Sequence, residues 1–245
     1  MKLREEEVRV RAPEGEIRAV VIAPTGAAAR RQGVLLYTDI FQLTESTLRT
    51  ARRLASSGFV VCVPEIYPHG ELAGVALAFD DAGKEAGQAG AAATTVAQFD
   101  ADRVAVLDYL GARADVDGLC AVGFCIGGHL AFRAAFDPRV AATVCFYPTG
   151  LAGGALGADA DAGSLAAAGA IHGRLMIVFG SRDPHVPAEA RLQVVEALYA
   201  AGLTDLELHV FAGGEHAFMR DVGARDDPEL TDLALRNAVA FLAAR

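Results

Sequence analysis

The sequence has no run of lysines or arginines, no cysteine pair at CxxC spacing, no apolar stretch longer than a strand and no internal repeat. Each absence removes a class of function. Without a basic run there is no electrostatic footprint for nucleic acid or an anionic membrane surface, and the net charge of −9 points the same way. Without paired cysteines or clustered histidines there is no zinc or thiol-redox signature, so no metal and no cofactor is expected. Apolar runs of strand length cannot cross a bilayer. The charged opening Lys2-Leu3-Arg4-Glu5-Glu6-Glu7 lacks the apolar stretch of a secretory leader, so a cytoplasmic protein is expected. Charge is sparse as well, at 22% of residues, against 53% hydrophobic. That composition excludes disorder and leaves enough apolar volume for a sizeable core.

What is present is an alternation. Short apolar runs predict strands over 8–12, 17–23, 34–38, 59–63, 119–124, 140–147, 174–180 and 206–212. Amphipathic stretches predict helices over 44–57, 94–111, 127–136, 187–201 and 228–244. The first two strands read as an antiparallel pair turning at Pro13-Glu14-Gly15. The later strands are apolar throughout, which means burial on both faces of a mostly parallel sheet. An α/β fold with about eight strands and helices on both faces uses every element, so residues 1–245 are expected to form one domain. Two Gly/Ala-rich stretches, 69–93 and 150–169, interrupt the alternation and read as long loops that could wall a pocket. Their Asp80-Asp81 and Asp159-Ala-Asp161 pairs lack the further ligands a cation site requires.

The chemistry concentrates at Gly123-Phe124-Cys125-Ile126-Gly127-Gly128. A strand enters this segment and a helix leaves it, the context of a G-x-nucleophile-x-G elbow. Such a turn presents the central side chain at the C-terminal edge of the sheet, where open α/β folds bind ligands. Cys125 would then sit at a helix N-terminus, whose free amides favour negative charge on sulfur. Cys62, Cys120 and Cys145 lie inside apolar runs, where cysteine acts as a small hydrophobe. The strand over 174–180 delivers Asp183 and the strand over 206–212 delivers His216, each in the loop just beyond. Nucleophile, acid and histidine therefore follow the chain order of α/β-hydrolase triads. His129, one helical turn past Cys125, reads as a packing residue or as one that supports the site from behind, and His185 shares the loop of Asp183.

These segments resemble the dienelactone hydrolases (carboxymethylenebutenolidases) of the α/β-hydrolase fold over nearly the whole chain. The resemblance is carried by Gly123-Phe-Cys-Ile-Gly-Gly128, by Asp183-x-x-Val-Pro187 and by Gly214-Glu-His-Ala-Phe-Met-Arg220. Tyr37-Thr-Asp39-Ile-Phe41 and Val63-Pro-Glu65-Ile-Tyr67 add support. It implies that Cys125 attacks a lactone or small-ester carbonyl to give an acyl-enzyme, with His216 as acid and base and Asp183 orienting it. The backbone amides of Ile40 and Ile126 would form the oxyanion hole, Asp39 would take the thiol proton when substrate arrives, and Arg220 would bind a substrate carboxylate. Three positions depart from the family: aspartate stands at 39 where glutamate is common, alanine follows His216 where serine is usual, and residues 80–98 hold Lys84 but no arginine.

Two other readings compete. A catalytically silent hydrolase fold could serve as a ligand-binding protein, and would show a reactive Cys125 without ester turnover. A glutamine amidotransferase also places cysteine on a glycine-flanked elbow, but it pairs histidine with glutamate in a His-Pro-Glu run that this sequence lacks.

Overall fold

A computed structural model describes residues 1–26 and 31–244. The single domain expected over 1–245 also takes in 27–30 and 245, which lie outside the described residues. One eight-stranded sheet runs through the molecule in the order β1-β2-β4-β3-β5-β6-β7-β8. Its strands are β1 (Leu3–Ala12), β2 (Gly15–Pro24), β3 (Arg31–Tyr37), β4 (Val60–Pro64), β5 (Val116–Phe124), β6 (Val140–Phe146), β7 (Arg174–Gly180) and β8 (Leu206–Phe211). β1 and β2 pair antiparallel around Pro13 and Glu14, and β2 pairs antiparallel with β4. From β4 through β3 to β8 every pairing is parallel. All C-terminal ends of the parallel strands therefore open on one edge.

Alternation along β5 shows how both faces are buried. Leu119 and Ala121 enter one core, while Cys120 and Val122 enter the other. The first core is covered by α3 (Val96–Gly111), α4 (Ile126–Ala134) and α5 (Ala188–Ala200), through Leu107, Phe132 and Leu198. The second is covered by α1 (Glu45–Ser56) and α6 (Pro228–Ala243), through Leu54 and Phe241. Each such side chain, fully withdrawn from water, contributes about 1.5–3 kcal/mol before entropy is counted.

The helices start where short polar side chains can satisfy their first amides. Thr44 Oγ1 accepts from Thr47 N at 3.4 Å to cap α1. Thr95 and Gln98 close a reciprocal capping box on α3, at 3.2 and 2.8 Å. Asp227 caps α6 just before Pro228 at its first turn.

One helix was not expected. Residues 69–93, read from sequence as a loop, contain α2 (Asp81–Ala93), capped by Asp80 through Gly83 N at 2.8 Å. Gly83, Gly87 and Gly90 disguise it, since glycine weakens a helix interior. Here they permit contact: a Cβ on Gly87 would stand 2.4 Å from the Ile40 carbonyl oxygen, and one on Gly90 2.9 Å from the Tyr67 ring. α2 thus lies against Ile40, beyond the C-terminal edge of the sheet. The stretch 150–169 is irregular, as expected, and ends at a short 3-10 turn, Ala168–Ala170. Both acidic pairs have structural work nearby. Asp159 accepts from Val96 N at 2.8 Å, and Asp161 from Gly163 N at 2.9 Å.

Candidate active site

The turn from β5 into α4 is built by what its glycines lack. A Cβ on Gly123 would fall 1.8 Å from the Gly127 carbonyl oxygen, and one on Gly127 2.2 Å from that of Thr38. Between them Cys125 has φ 59° and ψ −122°, a conformation that costs an L-residue on the order of 1–3 kcal/mol. Parallel pairing with the neighbouring strand holds it there, through Cys125 N donating to Phe146 O at 3.1 Å. The result is a sulfur raised above the sheet edge at the start of α4, facing a cavity of about 470 Å³.

His216 and Asp183 reach the same place from the loops after β8 and β7. His216 Nδ1 donates to Asp183 Oδ2 at 2.8 Å, which leaves Nε2 for the cysteine. Asp183 Oδ1 accepts from the amides of His185 and Val186, at 2.8 and 3.2 Å. Both carboxylate oxygens are therefore occupied and the imidazole has one orientation. Burial alone would raise the Asp183 pKa and lower that of His216, but in each the hydrogen bonds prevail. Asp183 is held below its ordinary value by His216 and the two amides. His216 is pushed up to about 9 by Asp183 and by Cys125 beside it. His216 therefore carries its proton at neutral pH. Tyr147 packs its ring edge-on to the imidazole, with centroids 5.2 Å apart, and His185 does so from another side at 4.6 Å.

Ile40 and Ile126 line the cavity together with Cys125 and His216. Among the described residues, neither of their backbone N–H groups has a protein acceptor. Arg220 also lines it. Its guanidinium carbon lies 4.7 and 4.5 Å from the ring centres of Phe41 and Phe79, and Nη2 donates to Asp39 Oδ2 at 2.7 Å. The other Asp39 oxygen accepts from Phe41 N at 2.9 Å. Asp39 is thus engaged by Arg220, not by the thiol, and α1 takes its cap from Thr44. Arg220 Nε is buried without a partner.

Several residues of this site have no role assigned to them by the sequence. Phe41 and Phe79 become a guanidinium clamp only once α2 folds over the sheet edge. Lys84, on α2, and Arg225, before α6, both line the cavity, and neither has an ion-pair partner among the described residues. Thr149 follows β6 on the same edge, and a strand-end position was the one available clue. No group of three or more metal-ligating side chains occurs among the described residues, and no helix there is long and apolar enough to cross a membrane.

Known proteins resemble this chain in sequence and in fold. Residues 17–245 match the sequence profile described as "Dienelactone hydrolase family". A Saccharomyces cerevisiae protein provisionally assigned as a carboxymethylenebutenolidase is 34% identical over 198 residues, covering 79% of this chain and 72% of that protein. A Klebsiella pneumoniae structure provisionally assigned as a dienelactone hydrolase superposes with a TM-score of 0.87, at 22% identity and full coverage of both chains. A metagenomic structure described as the dienelactone hydrolase-like promiscuous phosphotriesterase P91 gives 0.79, at 22% identity, covering 99% and 98%. At those identities the two superpositions speak for the fold.

Proposed function

This chain belongs to the dienelactone hydrolase family, and on that premise we propose that it hydrolyses small lactones or esters through an acyl-enzyme on Cys125. It is a hydrolase acting on ester bonds. The observation that carries it is the junction of a strained Cys125 elbow with a His216 already fixed by Asp183, at the floor of one cavity.

In this reading the Cys125 thiolate attacks the carbonyl carbon. A C–S bond forms, and the carbonyl π pair moves onto oxygen, where the free amides of Ile40 and Ile126 receive it. Collapse of the tetrahedral species breaks the C–O bond, and protonated His216 gives its proton to the leaving oxygen. Neutral His216 then takes a proton from water, whose oxygen attacks the thioester and releases acid and thiolate. Asp183 keeps Nε2 directed at these transfers throughout.

A proton still on the thiol needs an acceptor other than His216, which already holds one near neutrality. Asp39 supplies it. A carboxylated substrate bound by Arg220 competes for the guanidinium, whose planar fork suits a carboxylate. The freed Asp39 carboxylate then takes the thiol proton. Lys84 and Arg225 provide further positive charge in the same cavity, the contribution that the missing second arginine left open.

We read the chain as one domain acting in the cytoplasm on a small molecule; four unpaired cysteines fit that compartment. No observation favours the amidotransferase, because His216 pairs with an aspartate, or the silent binding protein, because the three groups meet. The test is a panel of p-nitrophenyl acetate with neutral and carboxylated lactones, assayed with wild type and Cys125→Ala. Turnover that disappears in the variant supports the reading, and turnover that survives rejects it.

A further inference from the structure

A buried polar cluster that the reaction above does not use lies directly behind the nucleophile. His129, on α4, is fully buried, with both ring nitrogens engaged. Nδ1 is 3.2 Å from the Thr149 carbonyl oxygen and Nε2 is 2.7 Å from Ser164 Oγ. Burial, opposed by the bond to Thr149 and reinforced by the charge of Arg133, pushes its pKa down to about 4. The ring is neutral at pH 7. A carbonyl can only accept, so Nδ1 carries the hydrogen and Nε2 accepts from the Ser164 hydroxyl. Ser164 Oγ in turn accepts from Arg133 Nη1 at 3.0 Å, and Arg133 Nε donates to Asp100 Oδ1 at 3.0 Å.

The chain of donors has one consistent direction, and it ends at Thr149. A satisfied buried network of this kind is rigid. It pins the Thr149 carbonyl, while Thr149 N donates to Cys125 O at 3.2 Å from the other side. Gly150, at φ 74°, continues the turn where a Cβ would stand 2.2 Å from the Ala155 carbonyl oxygen. With its main chain held on both sides, Thr149 places Oγ1 3.7 Å from Cys125 Sγ. This hydrogen bond is additional to the one between the sulfur and His216. It was not foreseen from the sequence, and the triad does not require it.

We propose that Thr149 is a further catalytic residue, whose hydroxyl accepts from the Cys125 thiol and donates to the sulfur once the thiolate forms, and that His129 is the positioning residue that holds it there. The proposal rests on the reading of Cys125 as nucleophile. The S–H bond breaks heterolytically: the proton goes to Asp39, or to solvent when no substrate is bound, and the electron pair stays on sulfur. The threonine hydroxyl loses no proton; it rotates about its C–O bond and changes from acceptor to donor. Hydrogen bonds to an ion are stronger than those between neutral groups, so the contact favours the thiolate over the thiol. Attack on the carbonyl moves that charge onto the oxyanion, and the sulfur contact weakens as the C–S bond forms.

The experiment is the pH dependence of Cys125 alkylation by iodoacetamide, read by peptide mass spectrometry, in wild type, Thr149→Val, Thr149→Ala and Thr149→Ser. Valine keeps the shape without the hydroxyl, and serine keeps the hydroxyl without the methyl. In Val and Ala the profile is expected to move to higher pH by about one unit, with the rate at pH 7 falling about tenfold. Serine restores the wild-type profile, and His129→Ala shifts it in the same direction as Val. Comparing Ser with Ala isolates the hydroxyl even where valine disturbs folding. Val and Ala profiles that superimpose on wild type, or a Ser variant that behaves as Ala does, would overturn the proposal. Hydrolysis that persists in Cys125→Ala would instead overturn the nucleophile reading. The two failures are therefore distinguishable.

Discussion

Asp39 and Arg220, 181 residues apart in the chain, meet at 2.7 Å beside the cavity that holds Cys125. The pair joins the end of β3 to the loop beyond His216. It occupies the two groups assigned to the thiol proton and the substrate carboxylate. In the reaction proposed above, a carboxylated substrate would compete for Arg220 and release Asp39.

Charge on the substrate should therefore decide how much Arg220 matters. Arg220→Ala is expected to lower kcat/KM for carboxylated lactones about 100-fold, the scale of a lost charged hydrogen bond with its Coulomb contribution. Neutral esters should be spared, because their carbonyl chemistry does not pass through the guanidinium. Asp39→Asn should lower kcat on carboxylated substrates with little change in KM. Steady-state kinetics on paired acidic and neutral substrates check both; equal losses on the two classes would mean that Arg220 is structural.

The titration of His216 carries a sign. Its folded pKa of about 9 lies above the ordinary 6.5. The stability it contributes is complete below about pH 6.5 and is lost as pH rises through about 9. NMR titration of the His216 ring should show that high midpoint in wild type, and a lower one in Cys125→Ala and Asp183→Asn, each of which removes a partner that raises it. Activity should fall on the alkaline side through the same region, where the imidazole no longer has a proton for the leaving oxygen. A midpoint unchanged in Cys125→Ala would show that sulfur and ring do not interact.

Asp183→Asn tests orientation separately from charge. An amide in place of Oδ2 cannot accept from Nδ1–H with the same strength and can present a donor to it, which favours the wrong tautomer. A loss in kcat on the order of a thousandfold or more is expected. The alkylation rate of Cys62, Cys120 and Cys145, all buried, should not rise if the fold is intact.

Gly87→Ala probes the support of Ile40. Alanine at a helix interior ordinarily stabilises by about 1 kcal/mol over glycine. Here its Cβ would meet the Ile40 carbonyl oxygen at 2.4 Å, and overpacking of about 1–3 kcal/mol should win. Urea denaturation is expected to show lower stability, and ester turnover to fall as the Ile40 amide is displaced. A stabilised, fully active variant would contradict the packing described for α2.

The elbow and the loops carrying Asp183 and His216 could be read from the sequence because each depends on local rules: glycine beside a strained residue, and a loop immediately after an apolar strand. β7 begins at Arg174 and ends at Gly180, as its apolar run predicts. β1 was longer than expected, because Glu5, Glu6 and Glu7 look solvated in sequence. They are exposed on this edge strand, which continues through them by pairing with β2, and they also meet Arg52, Arg113 and Arg18 from elsewhere in the fold. α2 was hidden by glycines whose purpose is close approach to Ile40 and Tyr67. The Asp39–Arg220 pair, the clamp of Phe41 and Phe79, and the line from Arg133 to Thr149 are long-range contacts. No periodicity or spacing records them.

Trapping an acyl group on Cys125 would identify it as the nucleophile. The protein is mixed with p-nitrophenyl acetate, quenched in acid within the first turnover and digested for peptide mass spectrometry. A single acetyl group is expected on the peptide containing Cys125, together with no adduct and no turnover in Cys125→Ala. Turnover by wild type with no acetyl on that peptide, or turnover that persists in Cys125→Ala, would mean that another group attacks.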